Sequence, residues 1–223
     1  MSVTVELAHA TVLFSERAEG DLGRTTGEPS ADVLANRAAL LERCGVRAVC
    51  APSQVHGATV VTASGSAGYC VGPTTADGVA TTARGVAVAV HVADCLPIAI
   101  AGEGGVVMVH AGWRGLAAGV IGEGVRALRA LAVDGPLEAA IGPGAGGCCY
   151  EVGPEVHAAF AGYDANRGGK LDLAAIAAAQ LAQAGLSCSD VGLCTLCAPA
   201  GLLFSHRRDG PDTGRQAGLA WLR

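Results

Sequence analysis

Three side chains in this sequence share two properties: each can ligate a metal or act beside a nucleophile, and each stands at the end of an apolar run. They are His56 in SQVHGATVV, Cys95 in VHVADCLPIAI and His110 in VVMVHAGWRG. A strand edge, or the turn just past it, lets side chains leave the core and converge on a cleft while the backbone stays fixed. Each histidine is followed by a small residue, Gly57 or Ala111, which leaves room beside the imidazole. Two neutral imidazoles and one thiolate suit Zn²⁺, and three protein ligands leave one tetrahedral position open for water or substrate. A thiolate beside an imidazole is equally the basis of a metal-free cysteine nucleophile, a hydrolase or deamidase using Cys95 and His110. Taken singly, a buried cysteine packs and a histidine at a strand end hydrogen-bonds. The separations of 39 and 15 residues match neither a compact finger nor an HExxH helix, so spacing alone does not choose among these readings.

The elements that must position these residues are short. With 223 residues, 51% of them apolar, the chain can bury a substantial core as one domain spanning 1–223. TVLF at 11–14 reads as a strand, and Ser30 or Asp32 caps a helix running to about Cys44, with Val33, Leu34, Ala38 and Leu41 at helical spacing. The runs VRAVCA, ATVVTA, GVAVAVHV, LPIAIAG and GGVVMVH read as strands, and their near-continuous apolarity implies cover on both faces. A helix is expected from Gly115 to Leu131, a strand at 138–141, a helix from Leu171 to Ala184, and a late strand at GLLFS, 201–205. The class is therefore mixed α and β, with sheets sandwiched between helices.

Several function classes are excluded or disfavoured. No window approaches the 18–20 uninterrupted apolar residues of a membrane span, and the start MSVTVELAHATVLF lacks a basic export region, so a cytoplasmic location is expected. A formal charge of -5 with scattered arginines gives no basic stripe for nucleic acid. Nine cysteines, an odd number at irregular spacing, do not read as a disulfide framework. Cys194 and Cys197 form a CxxC with no second CxxC to complete four ligands, and Cys148 and Cys149 read as packed beside a tight Gly-rich loop, so neither pair is taken as a metal site.

The blocks SQVHGATVV, ADGVATTARGVAVAVHVADCLPI, VHAGWRGLAAGVIGEGV, AIGPGAGGCCYEVGPEV, LDLAAIAAAQLAQAGL and LLFSHRRDGPDTGRQAG together resemble the multicopper polyphenol oxidase family, also called the laccase-domain or YfiH-type family. They appear in the family's order and cover most of the chain. The resemblance implies a four-layer α/β/β/α sandwich with mixed β-sheets and a mononuclear metal site, whose His, Cys and His ligands carry over to His56, Cys95 and His110. It implies Zn²⁺, with copper as an alternative, and phosphorolysis of adenosine, inosine, guanosine or methylthioadenosine, with adenosine deamination as a second activity. The copper-dependent polyphenol oxidation in the family's older name is disfavoured. Several coppers need many imidazoles, whereas this chain has six histidines, at 9, 56, 91, 110, 157 and 206.

The two reactions make separate demands. Deamination needs an activated water, which a metal with one open position provides, and a general acid, for which Asp77 and Asp94 are candidates; a turn-fixing role suits either aspartate equally. Phosphorolysis needs cationic donors for phosphate. Arg114, four residues past His110, is one, and Arg207 and Arg208 are others, unless they are spent on Asp209 or Asp212. Gln54 could orient a ligand or a bound base, and Trp113 offers either a purine wall or an anchor for the following helix. One departure from the family is a shortened stretch between Arg17 and the Asn36–Arg37 pair.

Overall fold

The runs VAVAVHV, LPIAIAG and GVVMVHA are buried at every position. A strand can bury all its side chains only when both faces are covered, and here two sheets and a layer of helices cover them. The computed structural model describes residues 2–23, 29–63, 65 and 67–223. In chain order the elements are β1 (Val3–Glu6), β2 (Ala10–Phe14), α1 (Ala31–Cys44), β3 (Ala48–Ser53), β4 (Val60–Thr62), β5 (Gly68–Thr75), β6 (Gly78–Thr81), β7 (Val86–Val92), β8 (Leu96–Gly102) and β9 (Gly105–Ala111). There follow α2 (Trp113–Ala117), α3 (Val120–Ala130), β10 (Glu138–Ile141), α4 (Pro154–Ala159), α5 (Leu173–Gln183), β11 (Ser187–Asp190), α6 (His206–Asp209) and β12 (Gln216–Leu222).

The strands form two six-stranded mixed sheets, ordered β1-β2-β12-β7-β3-β5 and β11-β10-β8-β9-β6-β4. In the first, β3 runs parallel to β5 and β7; in the second, β10 pairs β11 and β4 pairs β6 in parallel, and the remaining pairings are antiparallel. Phe14, Val88 and Val90 of one sheet meet Val106, Met108 and Ala99 of the other to form the central core. A second core, with Ile98, Ile100, Val107 and Val109, packs beneath Ile121 and Leu128 of α3 and Ile176 and Leu181 of α5. A third joins Leu40 of α1 to Val49, Ala87 and Leu219. Four layers result, helix on sheet on sheet on helix, as the resemblance implies.

Local sequence accounts for most boundaries. The Ser30 side chain accepts the Val33 amide to start α1, and Gly45 at φ 65° ends it in the left-handed conformation. The helix expected from Gly115 to Leu131 begins at Trp113 and is divided, because Gly119 at φ 82° breaks the ladder between α2 and α3. The expected strand at 201–205 does not form. Leu203 and Phe204 are apolar because they are buried, and the Gln216 side-chain amide takes both the Phe204 N–H (2.8 Å) and its carbonyl (3.1 Å), replacing a strand partner. Asn36 and Arg37 bond the carbonyls of Asp21 and Leu22, tying α1 to the preceding loop; part of the shortened stretch, residues 24–28, lies outside the described residues.

The first sheet hands the chain to the second three times, at 54–59 between β3 and β4, at 76–77 between β5 and β6, and at 93–95 between β7 and β8. The first and last of these crossings carry His56 and Cys95, and the middle one carries Asp77. The β8–β9 register pairs Pro97 with His110 and Leu96 with Ala111, which sets Cys95 beside the end of β9.

Close approach of the sheets depends on small residues. A Cβ on Gly218 of β12 would lie 2.5 Å from the Pro97 Cβ and 3.3 Å from the Met108 sulfur. Gly218→Ala is expected to cost about 1–3 kcal/mol by overpacking, read as a lower urea midpoint with unchanged slope.

Candidate metal centre

His56, Cys95 and His110 come together: one ligand atom from each lies within 4.8 Å of the others, and the two imidazoles sit edge to face with centroids 4.8 Å apart. The organiser of this cluster is Asp77, which is wholly buried and immediately precedes β6. Its carboxylate accepts the Nδ1–H of His110 at 2.7 Å and the backbone N–H groups of Val55, His56 and Gly57 at 3.3, 2.8 and 2.6 Å. The first bond fixes the imidazole orientation and leaves Nε2 of His110 available to a ligand. The other three fold residues 55–57 into the turn that presents His56, whose φ of 63° is a left-handed conformation uncommon outside glycine.

By sequence Asp77 is a candidate general acid or a residue that fixes a turn. Its carboxylate is spent on these four bonds and it does not line the cavity, so its place is behind His110, as a positioning group. Asp94 is also committed. At φ 88° it accepts from the Thr195 hydroxyl (2.5 Å) and the Arg207 amide (2.7 Å), and its carbonyl accepts from Ala145.

Electrostatics within the cluster are strong. Burial would push the Cys95 thiol up, but His110 and then His56 more than offset it and bring it down to about 6. Burial likewise opposes a charged His110, yet the Cys95 sulfur and the Asp77 carboxylate outweigh it and raise the imidazole to about 9. A thiolate and an oriented imidazole are what a thiophilic cation selects. Gly112 keeps the approach open, since a Cβ there would stand 2.8 Å from the Cys95 sulfur. The donor set fits one ion. His91 and His206 line the same cavity without joining the cluster, so among the described residues nothing assembles a multinuclear histidine centre.

The cavity in front of the cluster has a volume of about 460 Å³, within the range of small-molecule sites. Three arginines line it, Arg114, Arg207 and Arg215, the last with its guanidinium also bonded to the carbonyls of Thr213 and Gly214. Arg114 stacks on Trp113 at 4.4 Å, and among the described residues no carboxylate pairs with it. The two arginines of SHRRDG separate: Arg208 pairs with Asp209 at 2.7 Å, whereas Arg207 reaches the cavity, bonding the Glu151 carbonyl at 2.8 Å and lying over Tyr150. Trp113 is half-buried against the helix-side core and also lines the cavity, so it serves as both anchor and wall. Gln54 clamps the His91 backbone with both ends of its amide at 2.8 Å, fixing the rim of β7.

Sequence reasoning missed Tyr150, His91, Gly112 and Arg215. Tyr150 and Arg215 stand inside the motif blocks, in CCYEVG and TGRQAG, but nothing in their neighbours marks them as facing a cavity 65 residues apart. Burial raises the Tyr150 phenol, keeping its proton in place. His91 is buried with Nε2 2.8 Å from the Tyr69 hydroxyl and Nδ1 unpartnered. Burial, with Arg37, Arg215 and His110 nearby, lowers it to about 3.

A sandwich of two mixed sheets with a His-Cys-His cluster at the crossings defines the class, and comparison with known proteins gives the family. Residues 9–223 match the family described as multi-copper polyphenol oxidoreductase laccase, and the chain belongs to it. The protein named purine nucleoside phosphorylase from Xylella fastidiosa strain 9a5c is 40% identical, over 91% of this chain and 84% of that protein. A Streptomyces griseus protein, purine nucleoside phosphorylase ORF3, is 37% identical over 92% and 87%. Among solved structures, Neisseria meningitidis NMB0706 superposes with a TM-score of 0.82 at 29% identity, covering 99% of this chain and 98% of that one. YlmD from Geobacillus stearothermophilus gives 0.80 at 30% identity, covering 97% and 93%. No helix of the described residues is long and apolar enough to cross a membrane.

Two outcomes are expected. Asp77→Asn keeps the shape but loses the carboxylate that orients His110, and metal affinity should fall roughly 10–100-fold, measured by competition with a chromophoric chelator. Because His91 is held neutral below its unfolded value, the unfolded chain binds the extra proton between pH of about 6.5 and about 3. Stability should therefore decline as pH falls through that window, and His91→Gln should flatten the decline in urea titrations.

Proposed function

We propose that this chain is a zinc-dependent purine nucleoside phosphorylase, acting on adenosine, inosine, guanosine or methylthioadenosine, with adenosine deamination as a second activity of the same site. The observation that carries the reading is that two unlike sets line one cavity: the His56–Cys95–His110 cluster, and the arginines Arg114, Arg207 and Arg215. Relatives named purine nucleoside phosphorylase, similar over nine-tenths of this chain, support it.

In phosphorolysis a phosphate oxygen bonds to ribose C1′ while the C1′–N9 bond breaks, its electron pair passing to the purine, which takes up a proton. The guanidinium groups bind and orient the phosphate dianion, holding it in line with the glycosidic bond. Tyr150, protonated and under Arg207, offers an O–H at the cavity wall, and Trp113 gives the base an apolar surface. His56, Cys95 and His110 would hold the ion, which when bound would supply Lewis-acid polarisation. Asp77 keeps His110 oriented through the reaction.

A second reading rests on one observation: without an ion, Cys95 and His110 form a thiolate–imidazolium pair, the equipment of a cysteine hydrolase. One assay separates the two. Purified protein given a nucleoside panel should release free base and ribose 1-phosphate only when phosphate is present, and ammonia from adenosine without it. Arg207→Ala should lower the phosphate-dependent rate by about 10²-fold. Base release without phosphate, or activity retained after metal removal and abolished by alkylation, would reject the phosphorylase and favour the hydrolase.

A further inference from the structure

The structure joins two cysteine pairs that are 45 residues apart in the chain. Cys148 and Cys149 end the Gly-rich loop after β10, and Cys194 and Cys197 form the CxxC after β11. The vicinal pair is not packed away as the sequence suggested. Cys148 and Cys197 are exposed, Cys149 and Cys194 half-buried, and all four sulfurs lie within 4.8 Å of one another. The CxxC therefore does find two further ligands.

We propose that Cys148, Cys149, Cys194 and Cys197 form a second metal site, a closed four-thiolate site for Zn²⁺ that is structural and separate from the His56–Cys95–His110 cluster. Four sulfurs at the corners of a zinc tetrahedron, each about 2.3 Å from the ion, stand about 3.8 Å apart. The observed separations, 3.3 Å for Cys148–Cys197 and no more than 4.8 Å for any pair, lie to either side of that spacing, so small shifts of the side chains reach it. Cys148 and Cys197 sulfurs, at 3.3 Å, are well outside a disulfide bond, whose length is about 2.05 Å.

The surroundings suit a charged thiolate cluster. The backbone amides of Gly146, Leu196 and Cys197 face the Cys194 sulfur, that of Gly146 at 3.3 Å. Such N–H groups stabilise thiolate ligands and fix their direction. Gly146 packs closely against the cluster: a Cβ there would stand 3.1 Å from the Cys194 Cβ and 3.4 Å from the Cys148 sulfur. Lys170, the sole lysine of the sequence, donates to the Cys148 carbonyl at 2.8 Å, and Arg208 holds the carbonyls of Thr195 and Ala198. These two cations stand next to a zinc–tetrathiolate group whose formal charge is negative. On binding, four S–H bonds give way to four Zn–S bonds and the protons leave to solvent.

The site would staple two loops that build the cavity. Tyr150 follows Cys149 directly, and Thr195, inside the CxxC, holds Asp94, which in turn receives the Arg207 amide. A closed ion here fixes one wall of the pocket without touching substrate.

Metal content and cysteine accessibility test this independently of any catalytic activity. The full chain, purified from zinc-supplemented cells without chelator, is compared with His56→Ala/His110→Ala and with Cys194→Ser/Cys197→Ser. The histidine variant should retain about one Zn²⁺ per chain with an all-sulfur shell at about 2.3 Å by X-ray absorption, and the cysteine variant should lose about one relative to the unsubstituted protein. Alkylation of the unsubstituted protein, mapped by mass spectrometry, covers the case in which the cysteine variant does not fold. With Zn²⁺ bound, exposed Cys148 and Cys197 should resist iodoacetamide while exposed Cys188 reacts, and chelator should release all four together. A zinc-free histidine variant, alkylation of Cys148 and Cys197 unaffected by zinc or chelator, or a Cys148–Cys197 disulfide in the purified protein would overturn the proposal.

Discussion

A buried carboxylate that must satisfy four donors at once is the constraint on which the site depends. Asp77 has no exposure, and an ionised carboxylate without partners in such surroundings would be very costly. It is satisfied by reaching across the join between the two sheets, to His110 on one side and to the 55–57 backbone on the other. Burial works against its charge, but His110 and the backbone donors outweigh that and hold it below the usual carboxylate range. The same bonds keep His56 in its left-handed conformation, so the cost of strain at one ligand is offset by the interaction that orients another.

The rest of the architecture supplies rigidity and space. β7, β8 and β9 are buried on both faces, so the ends from which Cys95 and His110 project cannot shift without disturbing the cores. Small residues then clear the room that larger ones would fill: Gly112 in front of the Cys95 sulfur, Gly218 between the sheets. Cations enter from later parts of the chain, Arg114 from α2, Arg207 from α6 and Arg215 from the loop before β12, so the cavity is cationic around a thiolate although the whole protein carries a formal charge of -5. The pairing of Arg208 with Asp209 leaves Arg207 directed at the cavity, and in this way adjacent, identical residue types take different parts.

Two clusters of soft ligands at the same end of the molecule divide structure from chemistry in the proposed reading. The His-Cys-His group faces a cavity and has three ligands; the four cysteines face loops and have a full set. Thr195 and Asp94 join them, which makes the geometry of the cavity wall depend on the order of the CxxC loop.

Much of this was legible in the residues themselves. The ends of the apolar runs located His56, Cys95 and His110, the Ser30 cap and Gly45 bounded α1, and unbroken burial was foretold by unbroken apolarity in β7, β8 and β9. Local sequence misled where apolarity and pairing part company, as at 201–205, and it passed over β11, whose SCSD is exposed throughout and has no periodicity to read. What only tertiary structure decided was which groups meet. Asp77 looks the same in sequence whether it donates a proton or orients a histidine, and a CxxC looks incomplete until a vicinal pair 45 residues earlier is folded against it. Periodicity and capping are set by neighbours along the chain, whereas the role of a carboxylate or a thiol is set by neighbours across the fold, through interactions of a few ångströms that chain distance does not encode.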